Sequence, residues 1–575
     1  MTRALAALAV VLLFGASPGP APTAPGSADA QLAALARAYY DDHFRAAPID
    51  ATFAGLHDHD DRLGDFSATA YARTLQTDRE YLALLSALDR SKLSPEPAID
   101  AAILQDALND DLLLNGTLAQ WRHDPDQYSQ AATGAIYAVV VRDYAPLATR
   151  MRYAIAREQQ IPRMLDQAKR NITSVDAVTQ RIAYDDTSGA VSFFTDSVPP
   201  AFLAVKDSAL QQQLRSANAA AAKAMKAYAA WIHAIKPRGT FAIGADAYQK
   251  RLKYEDELDI PLAGYLAIGQ RELARLQRAF VATAKRIDPT HTPLEVYQRI
   301  SKDHPTPEQL LPAAAGDLVR LRAFIIAHHI ITLPPDAKIS VVETPPFQRA
   351  TTEAAFDPPG PLERVDTQTR YNVTPVDPAW SKKQQEEYLE LFSNYERPII
   401  SAHECYPGHF VNYAIDKHLT LSLIRMLNWN SSFGEGWAHY DEQMMVDEGW
   451  GNGDPRVRLA QLEEALLRAA RFVVGVKMHT AGMTIPQAVD FFVREGYQPR
   501  QVSTAEALRG AGDPMYGYYT IGKLEILKLR SDYKKKMGSA YTLEGFHDAL
   551  LAHGDPPLPL LRPLLLGDSD DGKVL

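Results

Sequence analysis

Along this chain the apolar residues return at three- and four-residue intervals, and only one long stretch breaks that rhythm. Such spacing lines one face of a helix, so it calls for helices packed on one another. The pattern runs through Gln31 to Ala46, Thr69 to Leu88, Ile99 to Leu114, Leu147 to Ala168 and Leu210 to Ile235. It continues in Ala263 to Ile287 and Pro307 to Ile331, where Pro307 suits a first helical position. The exception is Leu333 to Asp377, with scattered prolines and the β-rich run Ile339-Ser-Val-Val-Glu343. It reads as short strands and loops. Helices resume at Ser381 to Ser393, Leu459 to Met478, after Thr484, and at Tyr518 to Tyr533. The expected fold is mostly α with a small β element. The expected divisions are a leader over 1–30, a helical region over 31–380 with a strand and loop segment near 333–377, and a second helical region over 381–575.

Arg3, the short apolar run Ala4 to Ala16 and the small residues Ala28-Asp-Ala30 together read as a secretory signal cleaved before Gln31. The apolar run is too short to span a bilayer, and no other stretch is long enough. A periplasmic or secreted mature chain without a membrane span is expected. Cys405 is the only cysteine, so no intramolecular disulfide forms and stability rests on the core. A net charge of −10 with no basic cluster argues against nucleic acid as a partner.

The chemistry concentrates in Ser401-Ala-His-Glu-Cys-Tyr-Pro-Gly-His409, followed 26 residues later by Glu435-Gly-Trp-Ala-His-Tyr-Asp-Glu442. Two His and a downstream Glu form the ligand set of a catalytic zinc with an open fourth position. Glu404, directly after the first His, stands where a zinc hydrolase keeps its general base. The common helical motif spaces its His at i and i+4, but here i+4 from His403 is Pro407. His409 lies at i+6, about 120° around an ideal helix. Pro407-Gly408 supplies the means for a widened turn or a break that returns His409 to the His403 side. The expected ligands of one zinc ion are His403, His409 and Glu435, with Glu404 moving protons. His439, at i+4 from Glu435, is either another ligand or a hydrogen-bond partner of Glu435. Glu442 orients a ligand His or belongs to a solvated acidic face. Cys405 is expected to pack rather than to act as a nucleophile, and Trp437 to be core. The one G-x-S-x-G match, Gly15 to Gly19, lies in the leader and is discounted.

His403-Glu-Cys-Tyr-Pro-Gly-His409 resembles the H-E-x-x-P-G-H motif of the bacterial domain-of-unknown-function 885 family, and Glu435-Gly-Trp-Ala-His-Tyr-Asp-Glu442 resembles its E-G-W-A-x-Y-x-E motif. Weaker matches continue through Arg471, His479, Glu506, Arg509, Tyr519-Thr-Ile-Gly522 and Arg530. That family is grouped with gluzincin-type metallopeptidases. The resemblance implies a mostly helical, zincin-like fold with a deep cleft and a small sheet flanking it. The segment near 333–377 is either an edge that pairs with an extended peptide or a plain surface loop. The resemblance also implies that His479, Tyr519 and Arg509 stand near the cleft. There each is either a donor to a tetrahedral oxyanion or a satisfied interior polar group, with Arg509 alternatively holding a substrate carboxylate. Gly475 and Gly510 depart from the family, which usually has Asp and Tyr there, and His439 stands where an apolar residue is more usual. The function expected is zinc-dependent hydrolysis of peptide bonds. Two other readings stay open: a catalytically silent periplasmic binding protein of the same fold, and a zinc amidase acting on a non-peptide or cell-wall substrate.

Overall fold

The computed structural model describes residues 26–345, 349 and 352–575. The signal reading therefore falls mainly outside the described residues. Within them Ser27 caps a helix over Ala28–Ala46, so Ala28 to Ala30 form its first turn. Among the described residues no helix is long and apolar enough to cross a membrane.

Helices dominate, as the spacing predicts. One core belongs to a bundle of α1 (Asp126–Val141), α2 (Leu147–Asn171), α3 (Ala177–Ser192) and α4 (Ser208–Ala234). Tyr128, Ile136, Met151, Ile161, Phe194 and Met225 fill its centre. α1 is missing from the sequence-based expectation. Buried residues recur along it from Tyr128 to Val139, because neighbours pack on more than one side, and the polar face that marks an amphipathic helix is blurred.

The next long helix, α5 (Leu262–Ile287), lies along a helix from the other end of the chain, Pro455–Thr480. Leu276 and Phe280 meet Leu462, Leu466 and Val473 in one core. Another core joins Leu310, Leu321 and Ile325 to Phe410, Phe433, Trp437 and Ile526. Packing thus crosses residue 380 freely.

The Pro-rich stretch forms a three-stranded sheet of β1 (Ser340–Glu343), β2 (Ala354–Asp357) and β3 (Arg370–Val373), in the order β1-β3-β2. β1 runs parallel to β3, pairing Val341 with Tyr371, and β2 runs antiparallel, pairing Phe356 with Tyr371. Arg142, following α1, donates to the Asp357 carboxylate and to the backbone carbonyl of Pro358, and so fixes the end of β2.

Candidate metal centre

The apolar run Arg397-Pro-Ile-Ile-Ser-Ala forms α6 (Arg397–Glu404), held in place by a buried ion pair of Arg397 with Asp317, 2.6 Å. The helix ends there and α7 (His409–Asp416) starts afresh. The chain breaks rather than bulges. Cys405 to Gly408 fold back onto the end of α6, and the Gly408 N–H donates to the Ala402 carbonyl, 3.0 Å. A Cβ on Gly408 would overlap the His403 carbonyl oxygen, so only glycine permits this return. The Trp437 indole N–H donates to the Pro407 carbonyl, 3.0 Å, and pins the loop from the opposite side. As a result the His403 and His409 rings lie 4.9 Å apart and nearly perpendicular.

Glu435 comes from α8 (Ser431–Asp447), which crosses α11 (Tyr518–Met537) at a glycine pair. A Cβ on Gly436 would stand 2.6 Å from the Gly522 Cα, and one on Gly522 would overlap the Ser432 carbonyl. The two backbones touch, which brings Glu435 on α8 and Tyr519 on α11 to one place.

Nε2 of His403 and Nε2 of His409 each lie 3.3 Å from Glu435 Oε2. No donor reaches that oxygen in hydrogen-bond geometry, although it is buried. A tetrahedral site with bonds of about 2.0–2.1 Å needs ligand atoms about 3.3 Å apart, so this donor set fits a zinc ion with one position open. Glu442, fully buried, accepts from His403 Nδ1 at 2.8 Å and from His439 Nδ1 at 3.0 Å, and pairs with Arg468 at 3.2 Å. Burial works against its charge, but Arg468 and the two His hold its carboxyl well below the usual range. An ionised Glu442 fixes the His403 proton on Nδ1 and turns the Nε2 lone pair toward Glu435. Without a cation the same surroundings draw a proton onto that lone pair. Burial lowers the His403 pKa, and the nearby Glu435 carboxylate and the bond to Glu442 more than reverse this. A proton and a metal ion would compete for one position.

Glu404 accepts from the Phe356 N–H of β2, 2.8 Å. The strand beside the expected base is therefore β2, whereas the strongest β signature in the sequence belongs to β1. Tyr519 stands 6.3 Å from His403, ring to ring. Arg468, Arg471 and Arg509 face its ring at 5.4, 5.3 and 5.9 Å. Arg471 is neutralised by a two-pronged pair with Glu506, at 2.6 and 2.8 Å. Arg509 donates to the hydroxyls of Tyr518 and Tyr519, at 3.1 and 3.3 Å, and its nearest carboxylate, Asp513, is 3.8 Å away.

His479 does not join this group. Its Nε2 donates to the Gly510 carbonyl at 2.7 Å and its Nδ1 accepts from the Ile243 N–H at 3.4 Å. Both nitrogens serve the backbone, and burial lowers the pKa to about 4, so this is a neutral interior tie between α9 (Pro455–Thr480) and α10 (Arg500–Gly512). His439 likewise stands outside the group of His403, His409 and Glu435. It is fully buried, hydrogen-bonds Glu442 rather than Glu435, and faces Lys523 Nζ at 3.5 Å. Burial and then Lys523 lower its pKa to about 3. Gly475 and Gly510 share one explanation. A Cβ on Gly475 would come within 3.0 Å of the buried Tyr516 ring, and one on Gly510 would overlap its hydroxyl, so that tyrosine fills both spaces. Cys405 is fully buried, and burial followed by Glu404 raises its thiol pKa, which removes the thiolate chemistry. Lys523 and Arg468 had no motif to announce them. Each matters through Glu442 or His439, partners distant in sequence.

A second group of close carboxylates, Glu396, Glu463 and Glu464, lacks any His. Surface depressions lined by Gln277, Val281 and Tyr497 and by His291, Glu295 and Glu386 contribute no residue to the His403 cluster.

A family described as "Bacterial protein of unknown function (DUF885)" matches residues 48–565. No curated protein matches the chain. Among solved structures, a "putative lipoprotein of unknown function" from Shewanella oneidensis superposes with a TM-score of 0.78 at 24% identity, over 93% of this chain and 99% of that one. A "putative lipoprotein" from Colwellia psychrerythraea gives 0.78 at 17% identity, over 95% and 100%. These two likenesses show the fold.

Proposed function

The chain belongs to that bacterial family of unknown function, and within it we propose a zinc-dependent hydrolase of peptide bonds, related in kind to the gluzincin metallopeptidases. The observation that carries this reading is the orphaned Glu435 Oε2, set 3.3 Å from an imidazole nitrogen of each His, the separation of two ligands on one zinc. Zinc held there by His403, His409 and Glu435 supplies Lewis acidity toward water and an amide carbonyl. Glu404 takes the proton of the attacking water and passes it to the leaving amine. Its bond to the Phe356 N–H fixes the carboxylate, and the same strand edge offers pairing to an extended peptide. The Tyr519 oxygen accepts from Arg509, which leaves its own hydroxyl proton to meet the developing oxyanion. Arg509, lightly neutralised, serves the oxyanion or a substrate carboxylate.

Export belongs to the same proposal. The two solved relatives are each described as a "putative lipoprotein", and export with a cleaved leader is expected here. N-terminal sequencing that found Met1 intact on cytoplasmic protein would contradict it.

The test is digestion of an unbiased peptide library, read by mass spectrometry. Wild type should cleave, while Glu404→Gln with zinc still bound should lose at least about 10²-fold in turnover. Equal cleavage by the variant removes Glu404 as base. No cleavage by zinc-loaded wild type favours the amidase or the silent binding protein.

A further inference from the structure

We propose that Trp429 is the specificity-determining platform of this site, stacking against an aromatic or branched aliphatic side chain next to the bond that is cleaved. The inference rests on the hydrolase reading above. Trp429 is the one exposed tryptophan of the six, at 57%. Its ring lies 6.0 Å from that of His409, centroid to centroid, at 52°. An indole so exposed carries a cost in water, and here it borders a candidate zinc ligand.

Its placement is built. On one side the Asn428 amide donates to the Asp555 carbonyl, 2.8 Å. On the other the Asn430 amide donates to the Glu255 carbonyl, 2.6 Å, while its oxygen caps α8 by accepting from the Phe433 N–H, 2.7 Å. The backbone is thus tied on both sides of the tryptophan. The ring crosses the first turn of α8 at Gly434, where any Cβ would overlap it. The next residue is the ligand Glu435. Gly434 therefore lets an apolar face lie flat beside the site. Tyr519, bonded by Arg509, flanks His403, whereas Trp429 flanks His409, so apolar and polar recognition fall to different ligands of one centre. A flat, rigid apolar face suits a planar or branched apolar side chain and gives nothing to an anionic one.

The experiment measures binding, not turnover. Hydroxamates of phenylalanine, leucine, alanine and aspartate, which bear one zinc-binding group, are titrated calorimetrically into the zinc-loaded full chain. Wild type should bind the phenylalanine and leucine compounds at least about tenfold tighter than the alanine and aspartate ones. Trp429→Ala should reduce that preference to about twofold or less with zinc content unchanged, and Trp429→Phe should restore most of it. Phenylalanine hydroxamate should also quench tryptophan emission in wild type, and do so much less in Trp429→Phe. A preference unchanged in Trp429→Ala overturns the platform and leaves the hydrolase reading standing. No hydroxamate binding by zinc-loaded wild type overturns both.

Discussion

Replacing Glu442 with Gln probes how the candidate centre is held. The carboxylate takes three donors: His403 and Arg468 on one oxygen, His439 on the other. Gln has the same shape but turns one oxygen into an NH₂ donor. If the NH₂ faces His403, that ring must shed its Nδ1 proton, which moves to Nε2 and closes the zinc-binding lone pair. If it faces His439, the proton of that ring moves to Nε2 and meets the Lys523 ammonium 3.5 Å away. Either arrangement also weakens the pairing of buried Arg468. A lost hydrogen bond to a charged group costs about 1.5–3 kcal/mol. Ten-fold in affinity is about 1.4 kcal/mol, and partners of ligand imidazoles typically contribute 10- to 100-fold in metal affinity. Zinc affinity should therefore fall by about 10- to 100-fold, measured by competition with a chromophoric chelator, with circular dichroism reporting that the fold persists. A folded variant whose zinc affinity stays within about twofold of wild type would refute the orienting role.

The α8–α11 crossing predicts that Gly522→Ala, whose Cβ overlaps the Ser432 carbonyl, loses about 1–3 kcal/mol and melts earlier by circular dichroism. Gly189→Ala, in α3 with open space around it, should be neutral or gain up to about 1 kcal/mol; equal behaviour of the two would contradict the packing. Burial, and then Glu464, raises the Glu463 pKa from 4.5 to about 8. Because the folded value is the higher one, its contribution to stability is complete below about pH 4.5 and is lost as pH rises through about 8. Glu463→Gln keeps an acceptor for the Gln498 amide, so its melting temperature should decline less than that of wild type from pH 5 to 9; parallel curves would contradict the linkage.

Much of this was legible because its causes are local. Helical spacing located α2, α4, α5, α9 and α11, and Thr484 and Ser381 cap helices through reciprocal side-chain boxes. His403 and His409 meet because Cys405 to Gly408 end one helix and start another, a break written in four residues. His479 misled because its partners, Ile243 and Gly510, come from distant segments and consume both nitrogens. His439 misled because helical spacing relates it to Glu435 at i+4 but equally to Glu442 at i+3, and only packing with Lys523 and Arg468 decides. The edge beside Glu404 was hidden for a similar reason: Ala354 to Asp357 has a weak strand signature, and β3 recruits it.

Metal analysis of the purified full chain by plasma mass spectrometry tests the central claim most directly. One zinc per chain should co-purify with wild type, and both His403→Ala and Glu435→Ala should lose it while remaining folded. Full zinc occupancy in both variants would contradict the ligand set and the chemistry built on it.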